Sequence, residues 1–127
     1  MPYSRPGPGV YVTNPHGEPI NHGDPVVVDN FVGVAVKQRS RGWYDGFANQ
    51  AVIDEDEPFF IITKGVVQVS NEGLEDGAKG DEVYISAPNT LEVGGGEHKF
   101  GRIVEVGGER GTPPNRVRID LDYKDSF

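Results

Sequence analysis

The chain has 127 residues and a formal net charge of −8, with no cysteine. That length suits one compact domain with one modest core. The basic residues are scattered, with Lys37, Arg39 and Arg41 the densest group, so no cationic stripe is available to track a phosphate backbone and a nucleic-acid partner is excluded. Without cysteine there is no disulfide framework, no thiol catalysis and no thiolate zinc site. No apolar run approaches the ~20 residues of a membrane helix. The start of the chain lacks the apolar core of a signal peptide. The expectation is a protein made in the cytoplasm and used there or in a particle assembled there, with no membrane partner.

Residues 1–9 hold three prolines and two glycines. Proline fixes φ and removes a donor, so this segment reads as an extended arm close to polyproline II. Val10-Tyr11-Val12 is a short β-prone run, and Asn14-Pro15-His16-Gly17 a turn signal. Residues 24–28 and 31–36 are apolar and β-branched, separated by Asp29-Asn30, which predicts a hairpin with a tight turn. Gly33 inside the second run marks a bulge or a close backbone approach.

Residues 37–49 are polar, with Trp43, Tyr44 and Phe47 embedded, and read as a loop crossing between sheets; a short helix over 43–51 also fits. Residues 50–53 suit a strand, and Asp54-Glu55-Asp56-Glu57-Pro58 an acidic, solvated turn. Residues 59–69 form the strongest strand region. A glycine-rich connection over 72–81 leads to a strand over 82–86. Leu91-Glu92-Val93 alternates and ends at three glycines. Residues 99–106 read as a strand, 107–114 as a loop. Residues 116–123 have the cleanest period of two, placing Val117, Ile119, Leu121 and Tyr123 on one face. About eight short strands at turn-rich spacing predict an all-β barrel or sandwich with an extended N-terminal arm over 1–9 and one barrel-like domain over 10–127.

Two stretches echo one another. Gly23-Asp24-Pro25-Val26-Val27-Val28 followed by residues 31–36 resembles Gly80-Asp81-Glu82-Val83-Tyr84-Ile85 followed by residues 100–106. Each has a Gly-Asp turn, a strand, and a second apolar strand carrying one glycine. The pattern predicts two hairpins pairing across a small barrel, although Gly-Asp turns precede strands in many β-proteins.

These segments, together with Thr63-Lys64-Gly65-Val66-Val67, Phe100-Gly101-Arg102-Ile103-Val104 and Val117-Arg118-Ile119, resemble the phage head cement (decoration) family, over about residues 20–121. The resemblance implies a viral structural protein of the virion. It would sit on the outer capsid surface, usually as a homotrimer, and clamp neighbouring major capsid protein subunits. It implies no reaction and no cofactor. The Pro-rich arm, the aromatic loop at 42–47 and the tail over 122–127 depart from the family pattern. Tyr and Trp are enriched in interface hot spots. Candidate capsid- or subunit-interface residues are therefore Tyr3 and Arg5 on the arm, Trp43, Tyr44 and Phe47 in the loop, and Tyr123 and Phe127 in the tail.

Other chemistries find little support. His16, His22 and His98 lack the spacing of a helical metal pair and read as solvated loop residues, and four consecutive acids before Pro58 do not give calcium-loop geometry. No serine sits in a Gly-x-Ser-x-Gly elbow, and no glycine-rich stretch is followed by Lys-Ser/Thr. No catalytic or metal-binding residue is assigned. The rival expectation is a carbohydrate- or peptide-binding β-module using Trp43 and Tyr44 as a platform.

Overall fold

A computed structural model describes residues 9–39, 42–43, 52–86, 89–108 and 111–125. Its strands are β1 (Gly9–Thr13), β2 (Ile20–Asn21), β3 (Pro25–Val28), β4 (Phe31–Val36), β5 (Gln38–Arg39), β6 (Gly42–Trp43), β7 (Val52–Ile53), β8 (Pro58–Ile62), β9 (Val66–Ser70), β10 (Glu82–Ser86), β11 (Thr90–Val93), β12 (His98–Glu105) and β13 (Arg116–Asp120). A 3-10 helix, Leu121–Asp125, follows. The strands form a four-stranded sheet ordered β1-β8-β4-β3, a five-stranded sheet ordered β11-β10-β12-β13-β9, and the two-stranded ribbons β2-β7 and β5-β6.

The fold is all-β and sandwich-like. Of the two architectures expected, barrel or sandwich, the sandwich is the one present, and the domain is not barrel-like: β1 and β3 remain edges of one sheet, β11 and β9 edges of the other. The sheets instead meet face to face. Nor is there a single core. The larger one lies between the two sheets and joins Val27, Val32 and Val34 to Val83, Ile85, Phe100, Ile103 and Ile119. The smaller one lies on the opposite face of the four-stranded sheet, where Val26, Val28, Ala35, Phe59 and Ile61 meet Ile20 and Ile53 of the β2-β7 ribbon. A sheet buried on both faces needs apolar residues at consecutive positions, which is why β3, β4 and β8 read as unbroken apolar runs.

The predicted hairpin is present. β3 and β4 pair from Val28↔Phe31 to Pro25↔Val34, and Asp29 and Asn30 both take positive φ, 52° and 70°. That is the two-residue turn whose twist matches its strands. Gly33 is a close approach rather than a bulge: the β3-β4 register runs unbroken past it, and a Cβ there would strike the Ile62 carbonyl. The predicted strand region over 59–69 is two strands. Gly65, with φ 93°, turns the chain out of the four-stranded sheet at β8 and into the five-stranded sheet at β9. The period of two in the last segment stops at Asp120, so Tyr123 lies in the 3-10 helix and not on the strand face with Val117 and Ile119. The segment expected to be a loop at 37–49 contains the β5-β6 pairing, Gln38↔Trp43, and Trp43 is extended; the remainder of the possible helix at 43–51 lies outside the described residues.

The internal echo extends to the whole strand scaffold. The order β3-β4-β8-β1 in the first repeat matches β10-β12-β13-β9 in the second. Val26 pairs with Gly33 as Val83 pairs with Gly101. Ala35 pairs with Ile61 as Ile103 pairs with Ile119. Val12 pairs with Phe59 as Val69 pairs with Val117. The loop hydrogen bonds repeat as well. The Gly23 N–H donates to the Ala35 carbonyl at 2.8 Å and the Ala35 N–H to the Asp24 carbonyl at 2.9 Å; Gly80, Ile103 and Asp81 do the same at 2.8 and 3.0 Å. The Asn14 N–H donates to the Glu57 carbonyl, and the Asn71 N–H to the Asn115 carbonyl, both at 3.0 Å. Two hairpins were expected to pair with each other across a barrel. They lie in separate sheets, and in the second repeat β11 is inserted between the paired strands and adds to the far side of β10.

Candidate functional site

The two Gly-Asp turns are built alike. Gly23 and Gly80 adopt φ of 92° and 95°, which lets the following aspartate fold back. Asp24 Oδ2 accepts the Asn21 N–H at 3.1 Å, and Asp81 Oδ2 accepts the Ala78 N–H at 2.8 Å. Their surroundings differ. Asp24 sits at the seam between the repeats, on the wall of a cleft of about 490 Å³. One wall is the first-repeat turn with Asn21, Asp24 and Pro25. The other comes from the second repeat, with Ser70, Glu72 and Gly73 after β9 and Asn89, Thr90 and Leu91 at the start of β11. Desolvation by burial raises the Asp24 pKa above its ordinary 3.8, and the Glu72 carboxylate adds to the rise; the Asn21 hydrogen bond, the Asn89 side chain and the Arg116 guanidinium pull it down. The cleft therefore holds two carboxylates among neutral hydrogen-bonding groups, with one guanidinium nearby.

The outer face of the five-stranded sheet is polar. Arg118 Nη1 meets Glu105 Oε1 at 3.1 Å, and the Thr112 hydroxyl donates to the same oxygen at 3.2 Å. The Arg102 guanidinium lies over the Tyr123 ring, 4.3 Å from its centroid. That cation–π contact is where the structure places the one tail candidate it describes. Exposed large apolar residues stand apart from one another: Tyr11 on edge strand β1, Phe31 at the β3-β4 turn, Val66 on edge strand β9 and Val93 at the end of β11. Tyr11 packs edge-on against buried Phe60, ring centroids 5.0 Å apart.

Of the sequence candidates, Trp43 is placed by its backbone in β6, and Tyr123 stacks under Arg102. Tyr3, Arg5, Tyr44, Phe47 and Phe127 lie outside the described residues. Two of the histidines expected to be solvated are only partly exposed. His22 Nδ1 accepts the Lys37 N–H at 3.1 Å, and His16 Nε2 is buried with no hydrogen-bond partner among the described residues. The acidic turn is also more than solvated: Glu57 Oε1 accepts the Asp54 N–H at 3.0 Å, and its Oε2 meets Lys37 Nζ at 3.1 Å. No group of three His, Asp or Glu able to hold a metal ion occurs among the described residues.

Asn14, read in the sequence only as part of a turn signal, is a fully buried hub. Its Nδ2 donates to the Glu18 and Ile53 carbonyls, both at 3.1 Å, and its Oδ1 accepts the His16 N–H at 2.9 Å. It ties the end of β1 to the ribbon that covers the smaller core. The Asp24–Glu72 cleft was missed too, because its walls come from three distant stretches of sequence. The pairing of Asn14 with Asn71 across the repeat was the one available signal for the hub.

The fold and surface define a class: an all-β, sandwich-like protein of two stacked repeats, polar on its outer sheet and with edge strands on both sheets. Comparison with known families gives the particular group. The profile of a family described as "Phage cement protein" matches residues 4–121, nearly the whole chain. The chain belongs to the phage cement protein family, whose role is structural, in stabilising the capsid. No curated protein and no solved structure matches it.

Proposed function

We propose that this chain is a decoration protein that binds the outer surface of a phage head, bridges neighbouring major capsid protein subunits and acts there without catalysis. The family match over residues 4–121 is the observation that carries this reading. The physical features agree with it. Edge strands and exposed residues such as Tyr11 and Val66 supply contact points along two sheets. A net charge of −8 keeps crowded copies soluble before they reach a shell. Several weak contacts per assembly give tight retention by avidity, which favours a self-associated, trimeric form. Residues 10–127 would act as one unit, with the N-terminal arm reaching the capsid alongside Trp43, Tyr44, Phe47, Tyr123 and Phe127.

The test is co-sedimentation with empty heads, with sizing chromatography of the free protein. Saturable binding and an elution volume of three copies are expected. A protein that stays in the supernatant at every concentration overturns the reading. Deleting residues 2–8 leaves β1 whole, since β1 begins at Gly9, and should weaken head binding while the far-ultraviolet spectrum is unchanged. Unchanged occupancy would remove the arm from the interface.

A further inference from the structure

The five-stranded sheet ends at β9, and this edge lacks the features that guard the others. β3 opens with Pro25 and buries Val26, Val27 and Val28. β11 carries Glu92, and β1 follows Pro6 and Pro8. Proline, charge and burial each discourage the addition of a further strand. β9, Val66-Val67-Gln68-Val69-Ser70, contains no proline, glycine or charged residue. Val66, Gln68 and Ser70 are exposed. The bonds at either end of β9 fix which backbone groups it presents. The Gly65 carbonyl accepts the Leu121 N–H at 2.8 Å, and the Asn71 N–H donates to the Asn115 carbonyl at 3.0 Å. Both bonds run toward β13 and the residues flanking it. In the antiparallel ladder, residues 65, 67, 69 and 71 therefore face β13, while Val66, Gln68 and Ser70 direct their N–H and C=O groups the other way. Among the described residues no strand lies on that side.

We propose that β9 is a self-pairing edge, through which two copies of the chain join β9 to β9, antiparallel, about a two-fold axis at Gln68. In that register Gln68 faces Gln68 and Val66 faces Ser70, so each outward N–H meets a carbonyl. On the core side Val67 meets Val69 as a β-branched pair. Charge complementarity argues for a second copy as the occupant and sets its direction. Lys64 and Glu72 flank β9 at equal distances from Gln68, and both are exposed. The ion pairs among the described residues are Lys37–Glu57 and Arg118–Glu105, so neither flanking charge closes one. The antiparallel two-fold brings Lys64 of each copy to Glu72 of the other, whereas a parallel pairing sets like charge against like. This contact goes beyond the decoration-protein reading and is separate from its trimer contact. A single short strand pair is weak, so it forms where copies are concentrated.

The experiment is sedimentation velocity of the free chain from about 10 µM to about 1 mM, a range that brackets one weak contact. The mass of the intact chain should at least double across it. Amide exchange should slow in parallel at Val66, Gln68 and Ser70, and stay constant at Val67 and Val69, which already face β13. Gln68→Lys, at an exposed position, sets two like charges together on the axis and should hold the lower mass throughout. Lys64→Glu and Glu72→Lys should each raise the concentration of half-association roughly tenfold, and the double swap should return it to within about twofold of the intact chain. Constant mass up to about 1 mM refutes the pairing, as does a double swap no better than either single variant. Association that vanishes on deleting residues 2–8 assigns the edge to the arm of another copy, and slowed exchange seen only on heads assigns it to a capsid strand; either result overturns self-pairing. The sample is the free chain, so a failure to bind heads removes the decoration reading alone.

Discussion

The two repeats share strand order, register and turn hydrogen bonds, yet they bury different amounts of themselves. In the first repeat, Val26, Val28 and Ile61 point into the ribbon-covered core while Val27, Val32 and Val34 on the other face enter the large core. In the second repeat, Val83, Ile85 and Ile119 take the positions of Val26, Val28 and Ile61. Its opposite face carries Tyr84, Arg102 and Arg118, all at least partly exposed. One scaffold thus yields a doubly buried sheet and a singly buried one, and the difference lies in alternate residues. The bulge in β12 completes the change: Val83 pairs with Gly101 and Tyr84 with Lys99, so Phe100 is left over and turns inward, where it is fully buried.

That comparison is open to direct test. The largest effect is expected from matched core truncations. Ile119→Ala and Ile61→Ala each remove a fully buried side chain and should cost about 2–5 kcal/mol. Ile119 serves the core shared by both sheets, so its loss should weaken hydrogen-exchange protection in both repeats, whereas Ile61→Ala should weaken mainly the four-stranded sheet and the β2-β7 ribbon. Equal loss across both repeats from Ile61→Ala would show that the small core has no independence.

An intermediate effect is expected at the equivalent asparagines. Asn14→Ala leaves the Ile53 carbonyl short of a buried partner and should cost about 1–3 kcal/mol in urea unfolding. Asn71 Nδ2 makes a 3.5 Å contact with the Pro114 carbonyl in an exposed setting, and Asn71→Ala should cost less than about 1 kcal/mol. Equal costs would mean that the hub role belongs to the repeat and not to the first half alone.

The smallest effect concerns pH. Burial raises the Asp24 pKa, so its contribution to stability is fully present below the unfolded value of 3.8 and is lost as pH rises through the folded value. Asp24→Asn keeps an acceptor for the Asn21 N–H and removes the charge. It should therefore melt slightly above the intact chain at neutral pH, with the gap closing in acid. A gap that widens on acidification would reverse the assignment.

Local and alternating features were legible in the sequence. Asp29-Asn30 announced its turn, Val117 and Ile119 their buried face, and the Gly-Asp echo a true repeat. What stayed open was whatever depended on how sheets meet. Alternation cannot tell a barrel from two facing sheets, since both bury one side of each strand. The run over 59–69 hid a change of sheet because two apolar strands joined by Thr63-Lys64-Gly65 look like one long strand. The cleft needed residues 21–25, 70–73 and 89–91 to be brought together, which no local pattern encodes.

The equivalence of β1 and β9 bears on how the chain finds its fold. Both are five-residue edge strands that offer valines to matched positions, Val10 and Val12 against Val67 and Val69. What separates them is their first residue: Gly9 matches Val66, and a Cβ at Gly9 would strike the Ile61 carbonyl of β8. β9 would bring such a Cβ to that place, so one glycine tells two look-alike strands apart as the chain folds.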